Sequence, residues 1–270
     1  MADEPQDDST RELEDGWRAT TPDDDTVLRR MALALGERGT WSAERLGGRV
    51  VRRPDALLGD FGSEVLFDNN VILTVSPDRA DLDGVIADAR SLYADRPWML
   101  VSALPTPDLR DRGLQLMGHP PLMVRPPGGD PPSPPDGLRV IEVTDAERFV
   151  QWNLTLAEAF PTPNGQPSLF DERVLGGPVH FWLGLEGDRP VATAAAFVRH
   201  GVVEVDYIST MPDARRRGYG AAVTWAATLA DPSRPAALIA SDDGRPMYEQ
   251  MGYLPLTRFT IWYEGQSWDD

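Results

Sequence analysis

The segment Val203 to Ala222 reads Val-Glu-Val-Asp-Tyr-Ile-Ser-Thr-Met-Pro-Asp-Ala-Arg-Arg-Arg-Gly-Tyr-Gly-Ala-Ala. It has the form of a strand that runs into a loop and then opens a helix. The loop bears Arg215, Arg216, Arg217, Gly218 and Gly220. Glycine lets a ligand approach the backbone with no side chain in the way. The first turn of a helix offers unpaired N–H groups and a partial positive charge, which suit a pyrophosphate. Neighbouring arginines add charge-assisted donors for phosphate. The chemistry on offer is a grip on a polyphosphorylated carrier. A tight turn beside a solvated arginine run is the duller account of the same residues. A dinucleotide fingerprint is the sharper competitor. It is rejected because Val223 stands where its third glycine belongs, and Pro212 to Arg217 intervene where it needs an immediate turn.

The spacing of apolar residues predicts the elements that must hold this loop. Strands are expected over Leu138–Val143, Phe181–Glu186, Val191–Val198, Val202–Ser209, Ala236–Ala240 and Phe259–Tyr263. Helices are expected over Asp145–Ala159, Ala221–Ala230 and Arg245–Met251, the first with Phe149, Trp152, Leu156 and Ala159 as its apolar stripe. That order implies an α/β fold, a mixed, mostly antiparallel twisted sheet flanked by helices. Upstream, strands at Glu64–Phe67 and Val71–Val75 flank a turn-prone Asp68-Asn69-Asn70. A helix over Arg79–Tyr93, a strand over Trp98–Ala103 and a helix over Pro107–Met117 complete a smaller α/β unit. Between the two lies Pro-Pro-Gly-Gly-Asp-Pro-Pro-Ser-Pro-Pro-Asp-Gly, Pro126 to Gly137, which suits neither helix nor strand. The expected division is a disordered acidic tail over 1–25, a domain over 26–125, a linker over 126–137 and a second domain over 138–270.

Composition removes several function classes. Acidic residues outnumber basic ones by 43 to 26, a net charge of −17, which argues against nucleic-acid binding. The 270 residues contain no Cys, so disulfides, Cys-ligated metals and thiol nucleophiles are excluded. His119, His180 and His200 are scattered, and no metal site is expected. The chain opens without a basic stretch followed by an apolar one, and no run of eighteen apolar residues occurs. A cytoplasmic protein with no membrane association is expected, as a monomer or a homodimer.

Arg215-Arg216-Arg217-Gly218-Tyr219-Gly220 resembles the Arg/Gln-x-x-Gly-x-Gly/Ala acetyl-CoA loop of the GNAT superfamily of N-acetyltransferases, and Ile208 to Pro212 resembles the strand end before it. Ala240-Ser-Asp-Asp-Gly-Arg-Pro-Met-Tyr-Glu-Gln-Met-Gly-Tyr253 is similar to a later motif of that superfamily. Both motifs stand in the expected order within Leu138 to Tyr263. The resemblance implies a GNAT fold and acetyl-CoA as co-substrate, with contacts at Ile208, Thr210, Arg215, Arg216, Arg217, Gly218, Tyr219, Gly220 and Ala221. It also implies direct acetyl transfer to a primary amine of a small molecule or peptide. An amine with a pKa near ~10.4 must lose a proton before it attacks, and a positioned carboxylate can take it. Glu204 stands at the position of the superfamily's base glutamate, eleven residues before Arg215. Asp206, two residues on and on the same strand face, is the second candidate. Tyr248 matches the general-acid tyrosine that protonates the leaving thiolate, whereas Tyr207 and Tyr253 are expected to pack. Asp145–Ala159 and Phe160–Val174 are expected on the acceptor side. The N-terminal half resembles a degenerate copy that lacks the Arg-x-x-Gly-x-Gly loop, which implies a tandem protein with one working site. Two alternatives stay open: a non-catalytic acyl-CoA-binding sensor or partner module, and transfer of a longer acyl group.

Overall fold

A computed structural model of the protein describes residues 26–160 and 170–265. The acidic stretch 1–25, expected to be a disordered tail, lies outside them. The described chain begins with α1 (Val27–Leu46), whose N-cap Thr26 accepts a hydrogen bond from the Arg29 amide at 3.1 Å. The helix ends where Gly47 turns left-handed and returns its N–H to Ala43 and Glu44. These caps satisfy amides and carbonyls that a helix end leaves open. Then follow β1 (Arg49–Arg52), β2 (Ala56–Asp60), β3 (Asn70–Leu73), α2 (Leu82–Tyr93), β4 (Trp98–Ser102), β5 (Gln115–Gly118) and β6 (Pro121–Arg125). The second half contributes β7 (Leu138–Glu142), α3 (Ala146–Ala159), β8 (Val179–Glu186), β9 (Arg189–Arg199), β10 (Val202–Thr210), α4 (Tyr219–Thr228), β11 (Ala236–Ile239), α5 (Arg245–Gln250), β12 (Leu254–Arg258) and β13 (Thr260–Glu264).

The strands form two sheets, ordered β1-β2-β3-β4-β13-β5 and β12-β6-β11-β10-β9-β8-β7. Neighbours are antiparallel except β3 with β4 and β10 with β11. Each parallel pair is joined by a helix, α2 or α4, because parallel neighbours need a crossover. The mixed, mostly antiparallel α/β architecture expected from the sequence is therefore present.

The expected division at 126–137 does not follow the sheets. Strand β13, near the end of the described chain, lies between β4 and β5, with Ile261 opposite both Val101 and Gly118. In return β6 lies between β11 and β12, with Met123 opposite Leu238 and Val124 opposite Leu254. Each half has lent one strand to the other. A cut in the proline-rich stretch would take β6 out of the middle of the second sheet. Two local expectations also need correction. Glu64–Phe67 is not a strand; a single 3-10 turn forms at Leu66–Asp68. Pro107–Met117 is not a helix, because Gln115–Gly118 extends to pair with the otherwise open side of β13. Among the elements not anticipated, charged residues interrupt the apolar period of α1 and β1, while β2, β6 and β12 are five-residue strands too short to show one.

One apolar cluster spans the two halves. Met31 and Leu35 of α1, Ile72 and Val101 of the first sheet, and Phe149, Trp152, Phe181 and Phe197 of the second belong to it. The outer face of the first sheet is covered by α2, and that of the second by α4. The seating of α1 depends on bare backbone at Gly59. A Cβ there would lie 2.3 Å from the Gly39 carbonyl oxygen, which is main chain and cannot swing aside. Gly59→Ala is therefore expected to destabilise the protein by about 1–3 kcal/mol, the usual cost of overpacking. Denaturant melts at matched protein concentration check this; an unchanged midpoint would show that α1 has room to move.

Candidate active site

The site starts from a failure of pairing. Strands β10 and β11 share only the pairs Val203 with Ala236 and Glu204 with Ala237. Past that point β11 stays with β6, and the Ala240 amide donates to the Pro121 carbonyl at 2.9 Å. Strand β10 stays with β9 but bulges between Asp206 and Ser209. Tyr207, in the bulge, has φ 52°, a conformation that costs a non-glycine residue energy and needs support. The Thr193 hydroxyl supplies it, donating to the Tyr207 carbonyl at 2.9 Å. The strands splay apart, and the side of β10 that faced β11 has no ladder partner on β11 beyond Glu204.

A cavity of about 640 Å³ opens at the splay. Val205, Asp206, Tyr207 and Ile208 line one side of it, and Ile239, Ala240, Ser241, Asp242 and Tyr248 the other. The structure therefore brings Asp206, Ile208 and Tyr248 together. Glu204 is not in that lining. Its side chain is 1% exposed and sits behind the wall, with Oε2 3.0 Å from Arg38 Nε. The N–H does not point at that oxygen, so both carboxylate oxygens lack a hydrogen bond among the described residues. Burial pushes the Glu204 carboxyl up to about 7, against the pull of Arg38.

Arg38 is the residue that motif reasoning missed. It reaches from α1 and donates to Asp206 Oδ2 and to the Tyr207 hydroxyl, both at 2.7 Å. Its guanidinium also lies 4.9 Å from the centre of the Tyr207 ring. Burial opposes its charge, while Glu204, Tyr207 and Asp206 hold it well above the ordinary range. One signal was available. Arg38 falls on the same helical face as Met31, Leu35 and Ser42, all buried, where an arginine needs a buried partner.

Tyr248 projects from α5 into the cavity, and its hydroxyl makes no hydrogen bond to a described residue. Burial and the Asp206 carboxylate hold its phenol above the usual tyrosine range, so it carries its proton at neutral pH. Tyr253 is a packing residue as expected, fully buried with its hydroxyl 2.7 Å from that of Thr228. Tyr207 does more than pack, since it lines the cavity and binds Arg38.

The loop before α4 is built as the glycines suggested. Gly218 caps the helix at φ 81°, and the first closed turn is Ala222 N–H to Gly218 O at 3.1 Å. The amides of Tyr219, Gly220 and Ala221 therefore have no acceptor within the helix. A Cβ on Gly220 would come 2.9 Å from Thr210 Oγ1, so the Thr210 side chain would have to turn aside to admit one. The arginines divide their labour. Arg215 donates to the carbonyls of Thr210 and Ala159, each at 3.1 Å, and ties the strand end to α3. Arg217 is paired with Glu186, which also accepts the Tyr219 hydroxyl at 3.0 Å. These two bonds hold the Glu186 carboxyl below its usual range. Arg216, at φ 60°, is the one of the three whose side chain makes neither a hydrogen bond nor an ion pair among the described residues. Tyr219 is buried at 2%, so it offers a ligand its amide and not its ring.

The model of the acetyltransferase (GNAT) family matches residues 146–253, which include the splayed strands, the loop and Tyr248. These residues form a GNAT acetyltransferase domain. Acetyl transfer from an acyl-CoA is the activity this family carries. Solved structures share the fold over both halves of the chain. A GCN5-related N-acetyltransferase from Kribbella flavida has 24% identity over 89% of this chain and 96% of its own, with a TM-score of 0.67. A functionally unknown conserved protein from Staphylococcus epidermidis has 14% identity over 80% and 93%, with a TM-score of 0.56. A GCN5-related N-acetyltransferase-like protein from Streptococcus suis has 15% identity over 88% and 98%, with a TM-score of 0.51. No curated protein matches the sequence. Among the described residues, no helix is long and apolar enough to cross a membrane, and no group of three or more His, Asp or Glu is placed to hold a metal ion.

The buried carboxyl in this GNAT domain should register in stability. Its folded pKa lies above its unfolded value of 4.5, so it favours the fold fully below about pH 4.5. That contribution is lost as pH rises through about 7. Glu204→Gln is neutral at every pH. Its stability should match the parent's at pH 4 and exceed it at pH 8 by a margin on the order of 3 kcal/mol. Parallel melts across that range read the difference, and two curves of equal slope would show that Glu204 ionises freely.

Proposed function

We propose that the protein is an acetyl-CoA-dependent N-acetyltransferase that passes the acetyl group directly to a primary amine of a small molecule or peptide. One observation carries the reading: the splay of β10 and β11 opens into a cavity that holds both a carboxylate, Asp206, and a protonated phenol, Tyr248. The amides of Tyr219, Gly220 and Ala221 and the guanidinium of Arg216 would hold the pyrophosphate of acetyl-CoA at the α4 terminus. Arg215, Arg217 and Gly218 shape that loop. The unpaired side of β10 around Ile208 and Thr210 would take the pantetheine arm by backbone hydrogen bonds. Bound there, acetyl-CoA supplies an activated acyl carbon at the mouth of the cavity.

The proton steps fall to this chain. Asp206 accepts a proton from the acceptor amine, directly or through water, because it lines the cavity at the bulge of β10, where the strands splay. Glu204 is shut behind it. Arg38 fixes the Asp206 carboxylate in place, and the second oxygen of that carboxylate accepts the Tyr207 amide at 2.7 Å. As the nitrogen–carbon bond forms and the carbon–sulfur bond breaks, Tyr248 gives its proton to the departing thiolate. The N-terminal half is read as a non-catalytic copy that keeps the strand order and supplies Arg38.

Thiol release with acetyl-CoA and a panel of amines tests the reaction, and the absence of Cys leaves no protein thiol as background. Asp206→Asn and Tyr248→Phe should each slow turnover by ~10²–10⁴-fold, the range for one acid–base group, with acetyl-CoA affinity little changed. Glu204→Gln should stay within a few-fold of the parent. A dead Glu204→Gln beside an active Asp206→Asn would move the base back by two residues. Arg216→Gln should weaken acetyl-CoA binding about tenfold, as one lost charge-assisted contact does. Calorimetry at two salt concentrations checks it; equal affinities for both proteins would remove Arg216 from the phosphate site.

A further inference from the structure

The cavity extends well past the slot that would hold the pantetheine arm, and its far wall belongs to the other half of the protein. Ile72 of β3, Met99 and Val101 of β4 and Ile261 of the lent strand β13 present one face of the first sheet to it. All four are buried at 8% exposure or less. Met117 lines the same side, and Leu156 and Phe160 reach in from α3. The ionised groups are mostly spoken for. Arg38 binds Asp206, and Arg258 binds Asp242 at 2.9 Å. The third carboxylate in the lining, Asp68, is 5% exposed and accepts the Ser63 hydroxyl at 2.6 Å. A polyamine or an aminoglycoside carries several ammonium groups and would leave most of them unpaired against an apolar wall, a heavy desolvation cost. One ammonium on a hydrophobic body matches the lining, with a single charge to set against Asp206 and an apolar body to lie on the wall.

Resting on the transferase reading above, we propose that the acceptor is a hydrophobic primary monoamine, an arylalkyl- or alkylamine. Its nitrogen points to Asp206 and its apolar body lies on the inner face of the first sheet. The halves then divide the reaction, the C-terminal one gripping the acyl donor and the N-terminal one selecting the acceptor. The step is the same: the amine loses one proton to Asp206 and gains the acetyl group, and the thiolate leaves with the proton of Tyr248.

The test follows thiol release from acetyl-CoA with propylamine, butylamine, pentylamine, hexylamine and 2-phenylethylamine, set against spermidine and glycinamide. Transfer of apolar surface from water predicts a rise in kcat/KM of roughly fourfold per added methylene. Hexylamine and 2-phenylethylamine should exceed spermidine by at least ~100-fold. Met117→Gln should lower kcat/KM for hexylamine by about tenfold, and Val101→Phe should end the rise at a shorter chain. Acetyl-CoA affinity measured on each variant shows that it is folded. A flat alkyl series, or a preference for spermidine, overturns the acceptor class while leaving acetyl transfer in place. No turnover of any amine by a protein that binds acetyl-CoA overturns it as well. Failure to bind acetyl-CoA at all sinks the transferase reading and this inference with it.

Discussion

The Arg38 guanidinium is the charge on which the site's arrangement depends. It is 7% exposed and meets two carboxylates and a phenol within one strand turn, so its desolvation is offset only while all of them stay in place. Removing the guanidinium itself would leave buried charge uncompensated, a loss that typically costs about 3–5 kcal/mol. The same contacts fasten α1 to β10, and so the first half to the second, at the bulge where β10 leaves β11. The Asp206 carboxylate is therefore aimed by a residue that lies outside the family match at residues 146–253.

This arrangement gives two carboxylates on one strand face different states. Glu204, enclosed and without a hydrogen bond, behaves as a weak acid that holds its proton near neutrality. Asp206, with its side chain 45% exposed and bound by both Arg38 and the Tyr207 amide, faces the cavity. A two-residue step along β10 moves the carboxylate from the interior to the solvent side of Arg38. The bulge at Tyr207 makes that step possible, because it turns the strand outward just where the ladder with β11 has ended.

Sequence reading reached most of the second half and little of the first. The loop at Gly218, the α3 stripe of Phe149, Trp152 and Leu156, and Tyr248 all sit in short local patterns, and the structure puts them where those patterns imply. The order of the two carboxylates was not legible, since alternation places Glu204 and Asp206 on one face and says nothing of what covers one of them. Nor could the arginine run reveal that Arg217 is taken by Glu186, a partner thirty-one positions away on another strand. Arg38, Asp68 and the wall at Val101 and Ile261 belong to no motif. Long-range packing brings them together, and only the fold shows it. The proline-rich stretch misled for a related reason: it marks a place where the backbone forms no ladder, and the chain had already entered the second sheet before reaching it.

The exchange of β6 and β13 also dictates an order of events during folding. Strand β4 meets its neighbour β13 across some 160 positions of chain, with Leu100 opposite Trp262. Contacts that distant form late and slow the search for the native state. Until residues 260–264 are in hand, β4 and β5 present open edges, and the first half is a sheet missing its middle. Bare edges of this kind invite pairing with other chains. The N-terminal half thus cannot complete its sheet until residues 260–264 are made, and the cavity wall at Ile261 closes only with β13. A chain that stops short of β13 has neither the complete sheet nor that wall of the cavity.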